Sequence, residues 1–214
     1  MELIFLFALT FFVALFSFRY FRAKRRLSFI ENYQFPEVIR SKLKEQYPSL
    51  SDEQVASVLL ALKSYFRMSH VGKMNMVAMP SKIVDVAWHE FILFTKSYQQ
   101  FCSKAFGAFL HHTPTEAMKT KTTAQEGIKR AWKIACSLDQ INPKKPNKLP
   151  LIFSIDSDLQ ITNGYYYSLN CKSRRPPNGD YCASHISCSS SFSGSFDSES
   201  SCGSSCSGGC GGGD

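Results

Sequence analysis

The sequence predicts a mainly α-helical protein with a single N-terminal transmembrane helix, a compact bundle of about four helices, a candidate short β-hairpin and a disordered C-terminal tail. Three observations predict this fold class. An uncharged apolar run opens the chain, apolar residues recur every three or four positions through its centre, and serine, glycine and cysteine dominate its end. The central spacing is typical of helices that bury one face, whereas a segment with so few aliphatic residues buries too little apolar surface to fold alone.

Residues 1–21 form the predicted transmembrane anchor. Residues 3–18, LIFLFALTFFVALFSF, contain no charged side chain, and Tyr20 and Phe21 lengthen the run. A membrane-spanning helix needs roughly 17–25 residues, and arginines that follow a short run can extend to the headgroups. A cleaved signal peptide is the alternative, but Glu2 stands where such a peptide needs positive charge, and basic rather than small residues follow the run. The sequence therefore favours a retained anchor.

Residues 22–34 form a predicted basic juxtamembrane segment. Five cations are clustered where the apolar run passes into this segment: Arg19, Arg22, Lys24, Arg25 and Arg26. Such a cluster is typical of a protein segment that contacts anionic membrane lipid and that lies on the cytoplasmic side of a transmembrane helix. We therefore predict a single-pass membrane protein with a cytoplasmic body and tail, and membrane lipid as a partner. Nucleic acid is not predicted as a partner, because the later lysines lack interleaved aromatic residues.

Four helices are predicted within residues 35–141. The first begins at Pro36, whose ring suits a first helical turn. The second has the pattern of a capping box, in which Ser51 and Gln54 each accept a hydrogen bond from the other's backbone N–H. The second helix has one apolar face: Val55, Val58, Leu59, Leu62, Tyr65 and Phe66. The third and fourth helices are expected over about 80–106 and from Thr113-Pro114 to a point before Pro143.

Residues 142–170 are predicted to form a linker and a short β-hairpin. A proline- and lysine-rich stretch is followed by β-branched and aromatic residues, and Asn163-Gly164 is typical of a two-residue hairpin turn. Residues 171–214 form the predicted disordered tail, which holds every cysteine except Cys102 and Cys136. Structural zinc sites use cysteine pairs on an ordered knuckle, so no preformed site is predicted there. Metal scavenging, redox reaction and partner capture by the tail remain alternatives.

Asp85, His89, His111 and His112 are the candidate functional residues. Asp85 and His89 lie four positions apart, on one side of the third helix and at the edge of its buried stripe. Gly107 is expected to interrupt that helix, and the returning chain could bring His111 or His112 beside Asp85. One carboxylate and two imidazoles suit zinc, iron or manganese and leave coordination positions for water or substrate. The alternative is a purely structural hydrogen bond from His89 to Asp85 that orders the helix edge.

Other candidate chemistry has less support in the sequence. Phosphate-binding glycine motifs are absent from the sequence. Cys102 falls on the buried stripe, where an inert thiol is the common case. Met74, Met76 and Met79 could be soft metal ligands, but methionine more often fills irregular gaps in a core.

Several elements between the second and fourth helices carry a family resemblance: VDVAWH at 84–89, Tyr98, Phe101-Cys102 and FLHH at 109–112. They resemble the signature of the glycine-rich domain-containing protein-like family, and the Asp-x-x-Trp-His element is the most specific part. The glycine- and cysteine-rich end is similar to that of short bacterial members, whereas the N-terminal anchor departs from the larger members. The resemblance implies the helical architecture and the importance of these residues, and it implies no reaction.

Two functions follow from this pattern. The first is a membrane-anchored helical binding or scaffold protein that contacts a protein partner through the helical domain or the tail. The alternative is a metal-dependent enzyme with Asp85, His89 and His111 or His112 as ligands. Glu90 is a poor candidate base, because it points to another side of the helix. Whether the protein is an enzyme stays open on the sequence.

Overall fold

The structure is a computed structural model that describes residues 1–112, 121–169, 181–182 and 186. Within these residues the chain is mainly helical, which confirms the predicted fold class. The helices are α1 (Glu2–Asn32), α2 (Glu37–Gln46), α3 (Asp52–Val71), α4 (Lys82–Leu93), α5 (Thr95–Ala105), α6 (Lys121–Leu138) and α7 (Leu151–Asp158). Two short strands, β1 (Tyr167–Ser168) and β2 (Tyr181–Cys182), pair in parallel. The predicted start of the fourth helix at Thr113-Pro114 and nearly all of the predicted tail lie outside the described residues.

Helix α1 connects the apolar N-terminus to the helical body without a break. Its apolar residues from Leu3 to Phe21 are exposed, and by length and composition the helix could cross a membrane. Its other end is part of the core: Ile30 is fully buried, Phe29 contacts Phe101 at 5.8 Å, and Glu31 pairs with Arg67 of α3 at 3.2 Å. The basic segment is thus the middle of one long helix. Retention of the anchor and a cytoplasmic body remain predictions.

Helix α3 is the centre of the body. Its capping box is confirmed: Ser51 Oγ accepts from the N–H of Gln54 at 3.3 Å, and Gln54 Oε1 accepts from the N–H of Ser51 at 2.8 Å. All six residues of its predicted apolar face are buried. Phe66 is the aromatic centre of the core, with ring contacts to Phe35, Trp88, Phe91, Phe101 and Phe106. The aromatic residues of several helices therefore pack on one side chain.

The single third helix expected over about 80–106 is wrong, because the structure has two helices there. Helix α4 ends at Leu93, Phe94 adopts φ −81° and ψ 59°, and α5 begins at Thr95. Across this break the indole N–H of Trp88 donates to Tyr98 Oη at 3.1 Å. Both helices bury their apolar faces in the same core, so the sequence keeps one helical spacing through the break. The sequence has no glycine or proline at this break that would mark the end of a helix.

The hairpin expected within residues 142–170 is also wrong. Helix α7 occupies Leu151–Asp158, and Asn163-Gly164 forms a turn in which the N–H of Gly164 donates to the carbonyl of Ile161 at 2.9 Å. Pro150 precedes the first turn of α7, a position that suits proline. Ile152, Phe153 and Ile155 are buried in the body. Tertiary burial overrides the β-propensity of such short apolar runs.

Candidate metal centre

Asp85 stands between two histidines at the surface of α4. Its Oδ1 lies 2.9 Å from Nε2 of His112, and its Oδ2 lies 3.4 Å from Nδ1 of His89. One candidate ligand atom from each of the three residues can be chosen so that all lie within 4.8 Å of one another. The side chain of His112 is 13% exposed, that of Asp85 24% and that of His89 50%, so the cluster is open to solvent on the His89 side.

His89 is oriented by the helix that carries it. Its Nδ1 is 2.9 Å from the backbone carbonyl of Asp85, one turn earlier in α4. A proton on Nδ1 would be donated to that carbonyl and would leave the lone pair on Nε2. Histidines that bind metals typically donate their other ring N–H in this way, which holds the ring in place.

His112 is held in position by a tyrosine from the next helix. After α5 the chain turns at Gly107, which has φ +77°. The hydroxyl of Tyr98 then donates to the carbonyl of Leu110 at 2.5 Å. Burial raises the pKa of Tyr98 far above its usual range, so the hydroxyl keeps the proton that it donates. The ring of Trp88 contacts that of His112 edge-on, with 4.5 Å between centroids, so two buried aromatic residues fix the second imidazole.

His111 does not join the cluster. Its side chain is exposed and contacts the ring of Phe109, with 4.8 Å between centroids. Of the four residues predicted as metal ligands, the structure brings together Asp85, His89 and His112 and leaves His111 outside. The sequence left His111 and His112 as alternatives, because two adjacent histidines carry the same local signal.

The cluster opens into a cleft of about 580 Å³, here called the site cleft. One wall of the site cleft is the connector between α3 and α4, including Met74, Met76 and Met79. This wall is held by two hydrogen bonds to backbone carbonyls: Arg130 donates to Met76, and the hydroxyl of Tyr65 donates to Val77 at 3.0 Å. The three methionines therefore form an apolar wall of the site cleft.

Asp156 is a buried carboxylate that sequence reasoning missed. It belongs to α7, and its side chain accepts from the Ser81 hydroxyl at 2.7 Å and from the backbone N–H groups of Lys82 at 2.6 Å, Ile83 at 3.3 Å and Tyr165 at 2.8 Å. A carboxylate at the N-terminus of a helix satisfies its unpaired N–H groups and complements its dipole. Asp156 thus fixes the start of α4. The only sequence signal was an aspartate within an apolar run.

A glycine makes room for this buried carboxylate. A Cβ added to Gly164 would lie 2.8 Å from Cβ of Asp156, closer than carbon atoms approach without a shift of the backbone. The turn at Asn163-Gly164, which suggested a hairpin in the sequence, instead brings the N–H of Tyr165 to Asp156.

Fold and site together define a class: a helical protein with a carboxylate and two imidazoles at the edge of a cleft. The chain belongs to the UCP032817-like family, whose model matches residues 25–186. The matched range starts in the basic part of α1 and includes Asp85, His89, His112 and Asp156. Comparisons with curated proteins and with solved structures give no match. The resemblance to the glycine-rich domain-containing protein-like family stays a prediction.

Proposed function

We propose that the protein is a membrane-anchored helical protein that binds one divalent metal ion through Asp85, His89 and His112. The observation that carries the proposal is the convergence of their candidate ligand atoms, all within 4.8 Å, beside an open cleft. Zinc, iron and manganese all accept a mixture of imidazole and carboxylate ligands. Three protein ligands leave at least one coordination position for water, substrate or a partner's side chain.

The spacing of the ligand atoms supports this proposal. Bonds of about 2.0–2.2 Å to a common metal ion separate neighbouring ligand atoms by roughly 3–3.5 Å. Oδ1 of Asp85 and Nε2 of His112, 2.9 Å apart, are already close to this spacing, and one candidate ligand atom from each of the three residues lies within 4.8 Å of the others. Metal binding would place a cation between these groups and would require only small movements of side chains held by Trp88 and the α4 backbone.

The sequence provides a matched control for a test of metal binding. The full-length protein would be purified in detergent without chelator, incubated with zinc, iron(II) or manganese, desalted and analysed for metal. We expect one ion per chain in the wild type and in His111→Ala, and loss of that ion in His89→Ala and His112→Ala. Circular dichroism of each variant checks that the helices remain.

Two results would overturn the metal proposal. One is a folded wild type that retains none of the three metals. The other is equal metal loss in His111→Ala and His112→Ala, which would mean that the ions bind through scattered surface imidazoles instead of the cluster around Asp85.

A metal-dependent enzyme is the second candidate function. The site cleft favours it, because a volume of about 580 Å³ beside three ligands provides space for a small substrate. Cobalt(II) in place of the native ion would report an open position: added azide should change the visible absorption spectrum of the wild-type complex. A spectrum insensitive to azide would indicate a closed structural site and would favour the binding or scaffold protein.

The anchor is a separate part of this proposal. Exposed apolar residues along the first five turns of α1 and the arginines after them support a retained single span with the body in the cytoplasm. Extraction of membranes with alkaline carbonate should leave the protein in the membrane fraction. A thiol reagent that cannot cross membranes should label the tail cysteines only after lysis, and labelling of intact cells would contradict the orientation.

A further inference from the structure

A second cleft lies where α1 meets the helical body. It has a volume of about 880 Å³ and is here called the basic crevice. Helix α1 contributes Arg19, Arg22 and Arg26, and the body contributes His70 from the last turn of α3 and Lys73 from the turn that follows it. None of the described residues that line it is acidic. The fold therefore brings Lys73 of the body close to arginines that are already neighbours in the sequence.

The positive charge of the basic crevice is not compensated within the described residues. The ion pairs of arginine in that part of the chain are Arg40 with Glu37 and Arg67 with Glu31, both on other surfaces. Partial burial and then repulsion from Arg22 lower the pKa of Arg26, as expected for neighbouring cations that share no anion. Such a cluster favours an anionic ligand.

The Arg26 guanidinium packs closely against the body at one glycine. A Cβ added to Gly107 would collide with Nη2 of Arg26. Gly107 also has φ +77°, a conformation that side chains other than glycine rarely adopt. The turn after α5 therefore leaves the space that the Arg26 guanidinium occupies. Arginine presents planar N–H donors that match the oxygens of a phosphate group.

The remaining lining of the basic crevice is apolar and continuous with the anchor. Leu15, Phe16 and Phe18 of α1 lie at the end of the apolar run and form this part. A neighbouring crevice of about 670 Å³ shares Arg22 and Arg26 with the basic crevice and adds further cations and aromatic residues: Phe21, Arg25, Phe29 and Lys104. The Nζ of Lys104 lies 5.8 Å from the ring centroid of Phe29. Cations beside an apolar surface suit a ligand with a phosphate group and hydrocarbon chains.

We propose that the basic crevice binds the phosphate headgroup of an anionic phospholipid from the leaflet in which the apolar run of α1 ends. The phosphate oxygens accept hydrogen bonds from Arg22, Arg26 and Lys73, and an acyl chain lies along Leu15 and Phe16. This inference rests on the proposed membrane anchor and is independent of the metal ion. It differs from attraction between a basic segment and a charged surface, because it requires Lys73 of the folded body.

The test compares cations that line the basic crevice with one that does not. Lys24 belongs to the same cluster of α1 but lines neither crevice, so Lys24→Gln is the matched control for Arg26→Gln and Lys73→Gln. The full-length protein is reconstituted into vesicles of phosphatidylcholine with one fifth phosphatidylglycerol, and the lipids that remain bound after detergent extraction are counted by native mass spectrometry. Dilution into detergent removes the diffuse attraction of the bilayer surface.

We expect one phosphatidylglycerol per wild-type chain, and the same for Lys24→Gln. Retention should fall about fivefold or more in Arg26→Gln and Lys73→Gln. Lys73 is exposed, so its replacement leaves the core intact and remains informative if Arg26→Gln fails to fold. Equal losses in all three variants, or an unchanged Lys73→Gln, would overturn the crevice proposal.

Two further measurements separate the other outcomes. Competition with inorganic phosphate distinguishes a lipid site from a site for free phosphate: displacement of the lipid by millimolar phosphate would overturn the lipid assignment. Carbonate extraction tests the anchor separately. A protein that stays in the membrane but shows no preference for phosphatidylglycerol contradicts the crevice proposal alone, whereas release from the membrane contradicts the proposed anchor.

Discussion

Two aspartates have opposite surroundings: Asp156, which contacts the start of α4, and Asp85, which belongs to α4. Asp156 is 1% exposed and accepts four hydrogen bonds from a serine hydroxyl and three backbone N–H groups. Asp85 is partly open to solvent, and its carboxylate faces the imidazoles of His89 and His112. The backbone donors around Asp156 cannot dissociate, so that carboxylate is committed to the fold. Asp85 instead faces imidazole nitrogens, which can bind a metal ion as well as donate a hydrogen bond, so a cation can lie between these side chains.

The difference indicates how the protein supports an open site. A carboxylate and two imidazoles near one another are useful only if α4 holds them at fixed positions. Asp156 and Ser81 fix the start of that helix from one side, and Trp88 and Tyr98 fix the histidine that approaches from the other. The buried Asp156 therefore fixes the helix that carries Asp85, whose carboxylate is free to bind a metal ion.

The largest effect is expected from removal of the buried aspartate. Asp156→Ala removes the acceptor that the buried Ser81 hydroxyl and three backbone N–H groups share, and should lower the free energy of unfolding by about 3–5 kcal/mol. Asp158→Ala, an exposed aspartate on the same helix, should change it by less than about 0.5 kcal/mol. Thermal unfolding of the full-length protein in detergent measures both. Similar effects of the two substitutions would refute the structural role of Asp156.

A smaller effect is expected at Asp85, and only when metal is present. At a metal concentration about 100 times Kd, binding should stabilise the folded protein by about 2.7 kcal/mol. A chelator should remove this stabilisation from the wild type and should leave Asp85→Asn unchanged. Without metal, Asp85→Asn and the wild type should unfold within about 1 kcal/mol of each other. If the chelator does not change the unfolding temperature of the wild type, Asp85 does not bind metal and the proposed difference between it and Asp156 is wrong.

Substitution of Tyr98 should lower both the stability of the protein and its affinity for metal. Tyr98→Phe leaves the indole N–H of Trp88 and the carbonyl of Leu110 without their partner, at a cost of about 1–3 kcal/mol. Because the Leu110 backbone holds His112, metal affinity should also fall by about tenfold. Tyr166→Phe removes the hydrogen bond to Ile161, 2.8 Å long, away from the site. We expect that control to lower stability slightly without changing metal affinity in a titration.

The smallest effect is expected at His70, which lines the basic crevice. Burial, followed by the charge of Arg26, lowers its pKa in the folded state, despite a contact between Nδ1 and the carbonyl of Ala105. The unfolded chain therefore binds the proton first. The stability that His70 contributes is complete at neutral pH and decreases as pH falls through the unfolded value of about 6.5.

Unfolding temperatures measured between about pH 7.5 and pH 5 test this assignment. The profile of His70→Gln should be flatter than that of the wild type, because glutamine does not titrate in this range. Identical slopes for the two proteins would show that other groups cause the acid sensitivity.

Local signals in the sequence predicted the parts of the fold that depend on near neighbours. Ser51 and Gln54 form a capping box within four residues, and Asp85 and His89 share one side of α4 because they are one turn apart. The return of the chain to bring a second histidine beside Asp85 was also foreseen. The choice of His112 over His111 was not, since it depends on contacts with Trp88 and on the bond from Tyr98 to Leu110.

Partners far apart in the chain explain what sequence reasoning missed. Asp156 meets Ser81, which is 75 residues away, so neither residue carries a local sign of the other. Helix α7 was mistaken for a strand because its eight residues, four apolar and four serine or aspartate, are too few to show a decisive period. The bend at Phe94 was missed because α4 and α5 bury faces in one core and so preserve the helical spacing.

Helix α1 has a mechanical consequence for the whole molecule. Because α1 is continuous from the apolar run to the buried Ile30, the apolar run and the helical body are joined by one helix with no flexible link between them. Insertion of one residue between the two would turn the body by about 100° about the helix axis and raise it by about 1.5 Å. In a membrane, the rotation of α1 about its own axis would therefore set the direction in which the site cleft faces.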